Sequence, residues 1–80
     1  MLQAYDPSVG TQSIGDLWTL TKDDQHLTCS LCTHPLGWEL RLIEGPYVMR
    51  LQVCKSRAEV FKSADKWKIL AIGEDWKPWD

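Results

Sequence analysis

From Asp16 to Cys54 the apolar residues recur at every second position in four successive runs, the period of half-buried β-strands. Trp18 and Leu20 mark the first run; Leu27, Cys29 and Leu31 the second; Trp38, Leu40 and Leu42 the third; Tyr47, Met49, Leu51 and Val53 the fourth. Residues facing each other across an antiparallel pair must lie on one side of the sheet, so the runs can form consecutive hairpins only if their parities agree. A turn at Asp23-Asp24 sets Leu20 opposite Leu27 and Trp18 opposite Cys29. A loop around His34-Pro35 sets Leu31 opposite Trp38 and Cys29 opposite Leu40, with a four-residue loop from Thr33 to Leu36 favoured because proline fits poorly at the second central position of a two-residue turn. A turn at Glu44-Gly45 sets Leu42 opposite Tyr47, Leu40 opposite Met49 and Trp38 opposite Leu51. All three connections keep the apolar set on a single face.

The period then changes. Ser56-Arg57-Ala58-Glu59 reads as a capping box, and Val60, Ala64, Trp67 and Ala71 follow at helical spacing up to Gly73, a residue suited to ending a helix. The expected fold is therefore α+β: a four-stranded antiparallel β-meander packed on one face by a single C-terminal α-helix, ββββα. Residues 1–15 carry Pro7, Gly10 and Gly15 without an apolar period and read as an irregular N-terminal arm, leaving 16–80 as one domain. Beyond the helix, Trp76 is expected to fold back over the core edge, while Trp79 could pack or stand exposed as an anchor.

Composition narrows the classes of function. With 80 residues, 44% of them apolar and 25% charged, the chain suits one small globular core. No run of about 18 apolar residues exists and no signal peptide opens the sequence, so a cytoplasmic protein with three free thiols is expected. A net charge of −2 gives no electrostatic footprint for nucleic acid.

The residues that most invite chemistry are His26, Cys29, Cys32 and His34, four groups of the kind zinc prefers. An extended strand sends Cys29 to the core and Cys32 outward, and it separates the two histidines by roughly 26 Å at about 3.3 Å per residue. No glycine lies between the cysteines to make the tight turn of a zinc knuckle. The expectation is no metal and no cofactor, with one buried cysteine and one on the surface. Redox chemistry through the same pair fails on the same geometry, since reactive Cys-x-x-Cys pairs open a helix. Nor does the chain hold a Gly-rich phosphate loop or paired carboxylates, so no enzyme is expected.

What remains is the uncovered side of the sheet. By parity it should display His26, Thr28, Ser30 and Cys32, then Glu39, Arg41 and Ile43, then Val48, Arg50, Gln52 and Cys54, with Glu39 opposite Arg50 and Arg41 opposite Val48. Arginines interleaved with aliphatic side chains resemble interface composition. Arg41, Arg50, Ile43, Val48, Glu39 and Trp79 are accordingly the candidate contacts of a small non-enzymatic protein-binding module, a monomer or weak dimer. Nucleic-acid binding through the same arginines, or a structural zinc domain using Cys29 and Cys32, are the alternatives.

Stretches such as Leu17-Trp18-Thr19-Leu20-Thr21-Lys22 and His34-Pro35-Leu36-Gly37-Trp38-Glu39-Leu40-Arg41 resemble those of short bacterial or phage proteins of unknown activity, over most of residues 16–76. In size and build the chain is also similar to phage-encoded inhibitors of the anti-CRISPR type. That similarity, which rests on no motif, implies a protein that occupies a surface of a larger host nucleic-acid-processing complex in the host cytoplasm.

Overall fold

The computed structural model describes residues 12–79. The order of elements is β1 (Ser13–Lys22), β2 (Gln25–His34), β3 (Gly37–Glu44), β4 (Tyr47–Cys54), α1 (Arg57–Ile72) and β5 (Lys77–Pro78). The first four strands form an antiparallel meander, and the helix follows them, as the alternation predicts. β5 adds to the free side of β1, so the sheet runs β4-β3-β2-β1-β5.

The first hairpin has the expected register, with Leu20 opposite Leu27 and Trp18 opposite Cys29. Asp23 takes the left-handed conformation that its tight turn needs, at φ 56°. β1 starts earlier than Asp16, because Ser13 pairs with Cys32 and Gly15 with Leu31. Gln12 extends the contact: its N–H donates to Thr33 Oγ1 at 2.7 Å, and the Thr33 N–H donates to its carbonyl at 2.8 Å. Register shifts at Ile14 and Leu17 break the period of two, which is why this stretch of strand does not read as one. Residues 1–11 of the expected arm lie outside the described residues.

The two later turns each fall one residue further along than expected. Pro35 and Leu36 form the β2–β3 turn, which puts proline at the first central position, where its fixed φ is an advantage. The Leu36 N–H donates to His34 Nδ1 at 3.0 Å. Cys29 therefore faces Leu42 and Leu31 faces Leu40, a slip of two residues that leaves every side chain on its expected face. Gly45 and Pro46 form the third turn, with Gly45 at φ 57°, and Tyr47 faces Glu44.

The face assignment then fails along β4. Ile43 pairs with Val48, but Leu42 pairs with Arg50, so Met49 is an extra residue and the strand carries a β-bulge. Beyond it the two faces exchange. Arg50, Gln52 and Cys54 turn toward the helix, and Leu51 and Val53, expected in the core, come to the outer face opposite Arg41 and Glu39. The inward polar groups find partners on α1. The Arg50 guanidinium lies 5.6 Å from the Trp67 ring centroid, and the Gln52 amide donates to Ser63 Oγ at 2.7 Å.

Helix α1 packs across β3 and β4 with Val60, Ala64, Trp67 and Ala71 buried, the stripe its spacing predicts. Burying Val60 and Trp67 stabilises the fold by roughly 1.5–3 kcal/mol each. At its start the Glu59 N–H donates to Ser56 Oγ at 3.1 Å, while the Glu59 carboxylate accepts from the Lys55 N–H at 2.8 Å, one residue before the cap. Gly73 caps the other end in right-handed conformation, and the reversal falls on Asp75 at φ 75°, where the Trp76 N–H reaches back to the Ala71 carbonyl.

That reversal returns Trp76 to the core, as expected of it. Leu20, Leu27, Ala71 and Trp76 form one buried cluster, and Cys29, Leu31, Leu40, Cys54, Val60, Ala64 and Trp67 form the other, with Trp18 and Leu42 packed against both. The Trp18 indole N–H donates to the Ala64 carbonyl at 3.1 Å and ties β1 to the middle of the helix. No helix among the described residues is long and apolar enough to cross a membrane.

Candidate functional site

Four of the candidate contacts keep their place on the outer face. Glu39, Arg41 and Ile43 are alternate residues of β3, and Val48 faces Ile43 from β4. Arg41 is not a free cation: its Nε donates to Glu39 Oε2 at 2.5 Å, and this bond raises the guanidinium pKa. The bulge removes Arg50 from the face and supplies Leu51 and Val53 instead. Each sits across from a member of the ion pair, so both anticipated cross-strand pairs, Glu39 with Arg50 and Arg41 with Val48, are replaced.

The outer face consequently changes in character from one edge to the other. Along β4 and the end of β3 it is apolar, with Val48, Leu51 and Val53 exposed and Ile43 half-buried beside them. The Arg41–Glu39 pair forms the next row. On β2 and β1 two hydroxyls meet mid-face, with the Thr19 and Thr28 Oγ1 atoms 3.1 Å apart. At the far edge Trp79, 59% exposed, rests on His26 with ring centroids 4.6 Å apart. Pairing of Pro78 with Leu20 in β5 is what brings Trp79 to this side. The sequence gives one signal for this arrangement, a tryptophan after a proline, but a two-residue strand is too short to show a period.

The cysteines and histidines do not converge. His26 is held against Trp79, and His34 at the other end of β2 accepts the Leu36 N–H. Cys29 points into the core and Cys32 to the opposite face. Among the described residues no three His, Cys, Asp or Glu side chains come together as a ligand set.

The expectation of surface positions for Cys32 and Cys54 is wrong on both counts. Cys32, 5% exposed, sits mid-sheet between Ser13 and Glu39 on the flanking strands, and Cys54, fully buried, is turned under the helix by the bulge. Burial raises the Cys54 thiol pKa, with the nearby Glu59 charge adding to it. Burial likewise pushes the Cys29 thiol up to about 12, helped by the negative charge of Asp16. Thiols held neutral in this way are poor nucleophiles and poor metal ligands.

A groove of about 320 Å³ opens on the helix side between α1 and β3–β4, floored by Leu27, Leu42, Trp67 and Ala71 and flanked by Met49 and Arg50. It holds no nucleophile paired with a base. The exposed aliphatic side chains of the sheet are concentrated where β4 and the outer face meet. No known protein family, curated protein or solved structure matches this chain.

Proposed function

We propose that this protein is a small non-enzymatic protein-binding module whose contact surface is the outer face of the sheet at its β3–β4 end. The observation that carries the reading is the apolar strip of Ile43, Val48, Leu51 and Val53 beside the Arg41–Glu39 pair. A small domain with a helix available to cover one sheet face gains nothing in stability by exposing leucine and valine on the other, and such patches rimmed by polar groups mark interaction sites. An inhibitor that covers a surface of a larger host complex is the narrower form of this reading, and it would use the same strip. Nucleic-acid binding draws less support, because Arg41 is engaged by Glu39 and Arg50 lies on the helix side.

The test is affinity capture from native host cells with the tagged chain, its Ile43→Glu and Leu51→Glu variants, and Lys62→Glu on the exposed helix surface as control. Both strip variants should lose the captured protein while the control retains it. Undiminished capture by the strip variants would remove the assignment.

A further inference from the structure

The two edges of the sheet are built differently. At one edge stands β5, only two residues long and composed of Lys77 and Pro78. Lysine and proline are residues that natural sheets place on edges to prevent further pairing, since proline has no N–H to offer and a lysine resists burial. At the other edge stands β4, eight residues from Tyr47 to Cys54 with neither lysine nor proline among them. Tyr47, Val48, Met49, Leu51 and Val53 are all exposed along it. Its one charge, Arg50, is turned over Trp67 on the helix side and does not guard the outer face. After the bulge, the stretch from Arg50 to Cys54 is regular strand at the sheet edge, and among the described residues no strand pairs with its outer row of backbone N–H and C=O groups.

We infer that this edge receives an extended segment of the partner protein as an added strand, bearing an acidic residue opposite Arg50 and apolar residues at the alternate positions facing Leu51 and Val53. The inference rests on the protein-binding reading above and specifies how the partner engages. Main-chain hydrogen bonds supply the affinity of such a junction, and alternate side chains supply its selectivity. Residues opposite each other share a face, so the chemistry of β4 dictates that of its partner. On the outer face Leu51 and Val53 call for aliphatic or aromatic neighbours continuous with the apolar strip. On the helix side Arg50 has no ion pair among the described residues, where Arg41–Glu39 is the only one. A carboxylate in the added strand would complete it.

The same argument disfavours a second copy of this chain. β4 reads YVMRLQVC and contains no acidic residue. Pairing it with itself about a two-fold axis, in the registers that keep Arg50 to Cys54 paired and the faces matched, sets Arg50 against Cys54, Gln52 or Arg50. None of these supplies the missing carboxylate.

The probe is a surface-display library of random ten-residue peptides selected on the purified full chain. Enriched peptides should carry two apolar residues at alternate positions with an acidic residue adjacent to one of them. Their affinity should fall about fivefold or more for Arg50→Glu, and exchanging the peptide's acidic residue for lysine should restore binding to that variant. Amide hydrogen exchange across Tyr47–Cys54 should slow in the peptide complex, a change that docking on the outer face alone would not produce. Equal affinity for wild type and Arg50→Glu, no enrichment of the pattern, or unchanged exchange in β4 would overturn the inference. So would a concentration-dependent dimer abolished by Leu51→Glu. If the natural partner is captured by Arg50→Glu as by wild type yet lost with Ile43→Glu, strand addition fails and the protein-binding reading stands.

Discussion

Truncating Leu40 and Leu51 to alanine should give unequal losses of stability, although both leucines belong to the same alternating set. In an unbroken β3–β4 ladder they would both be core residues under the helix. The bulge at Met49 leaves Leu40 fully buried and puts Leu51 outside at 57% exposed. For Leu40→Ala the lost transfer energy and the cavity left beside Val60 and Trp67 together cost about 2–5 kcal/mol. For Leu51→Ala, three carbons at about 0.8 kcal/mol each if fully buried, scaled to the part of the side chain that is covered, give roughly 1 kcal/mol at most. A domain of 80 residues has about 4–12 kcal/mol in total, so the Leu40→Ala loss is a large share of it and the Leu51→Ala loss a small one. Urea denaturation followed by tryptophan fluorescence reads the difference directly, and a slope unchanged from wild type confirms that only stability has moved. In thermal melts each kcal/mol corresponds to about 4–8 °C for a domain of this size. Equal losses from the two substitutions would refute the exchanged faces of β4, and with them the apolar strip on which the functional reading stands.

Three further outcomes bear on separate parts of the fold. The Cys29 thiol, held at about 12 against 9.0 when unfolded, stays protonated in the native state while the unfolded chain ionises. Its contribution is therefore complete below pH 9.0 and is lost as pH rises toward 12, at up to about 1.4 kcal/mol per pH unit. Urea midpoints at pH 8, 9.5 and 10.5 should fall more steeply for wild type than for Cys29→Ala, and parallel slopes would contradict the burial of this thiol. Gly37→Ala should cost about 3 kcal/mol or more, because φ is +142° and a Cβ there would stand 2.3 Å from the Cys54 carbonyl oxygen. Gly45→Ala, left-handed but in open space, should cost only about 1–2 kcal/mol in the same melts, and a reversed order would mean the β3–β4 connection is drawn wrongly. Ser56→Ala removes the hydroxyl that accepts the Glu59 N–H and should lower stability by about 1 kcal/mol; no change would show that the cap contributes nothing to α1.

The order of apolar and polar residues is enough to specify the set of elements and the face of most of them. Period two through four runs, the switch to helical spacing after Ser56, and the buried stripe of Val60, Ala64, Trp67 and Ala71 are properties of local order, so they are legible without coordinates. Parity even survives the misplaced second and third turns, because moving a hairpin turn by one residue shifts the register by two and returns every side chain to its face. The insertion of Met49 has no such protection: one unpaired residue shifts the register by one and inverts everything after it. Nothing in YVMRLQVC announces this, since its odd positions alternate as a core strand should.

Tertiary contacts decided it. Trp67 offers Arg50 an aromatic face, Ser63 offers Gln52 a hydroxyl, and the space under Val60 takes Cys54, so the less apolar set of β4 finds its partners beneath the helix and Leu51 and Val53 are left outside. The candidate contacts on β3 and at Val48 were legible because they precede the bulge. Arg50 was misassigned and Leu51 and Val53 were missed because the groups that settle their direction lie on an element distant in sequence.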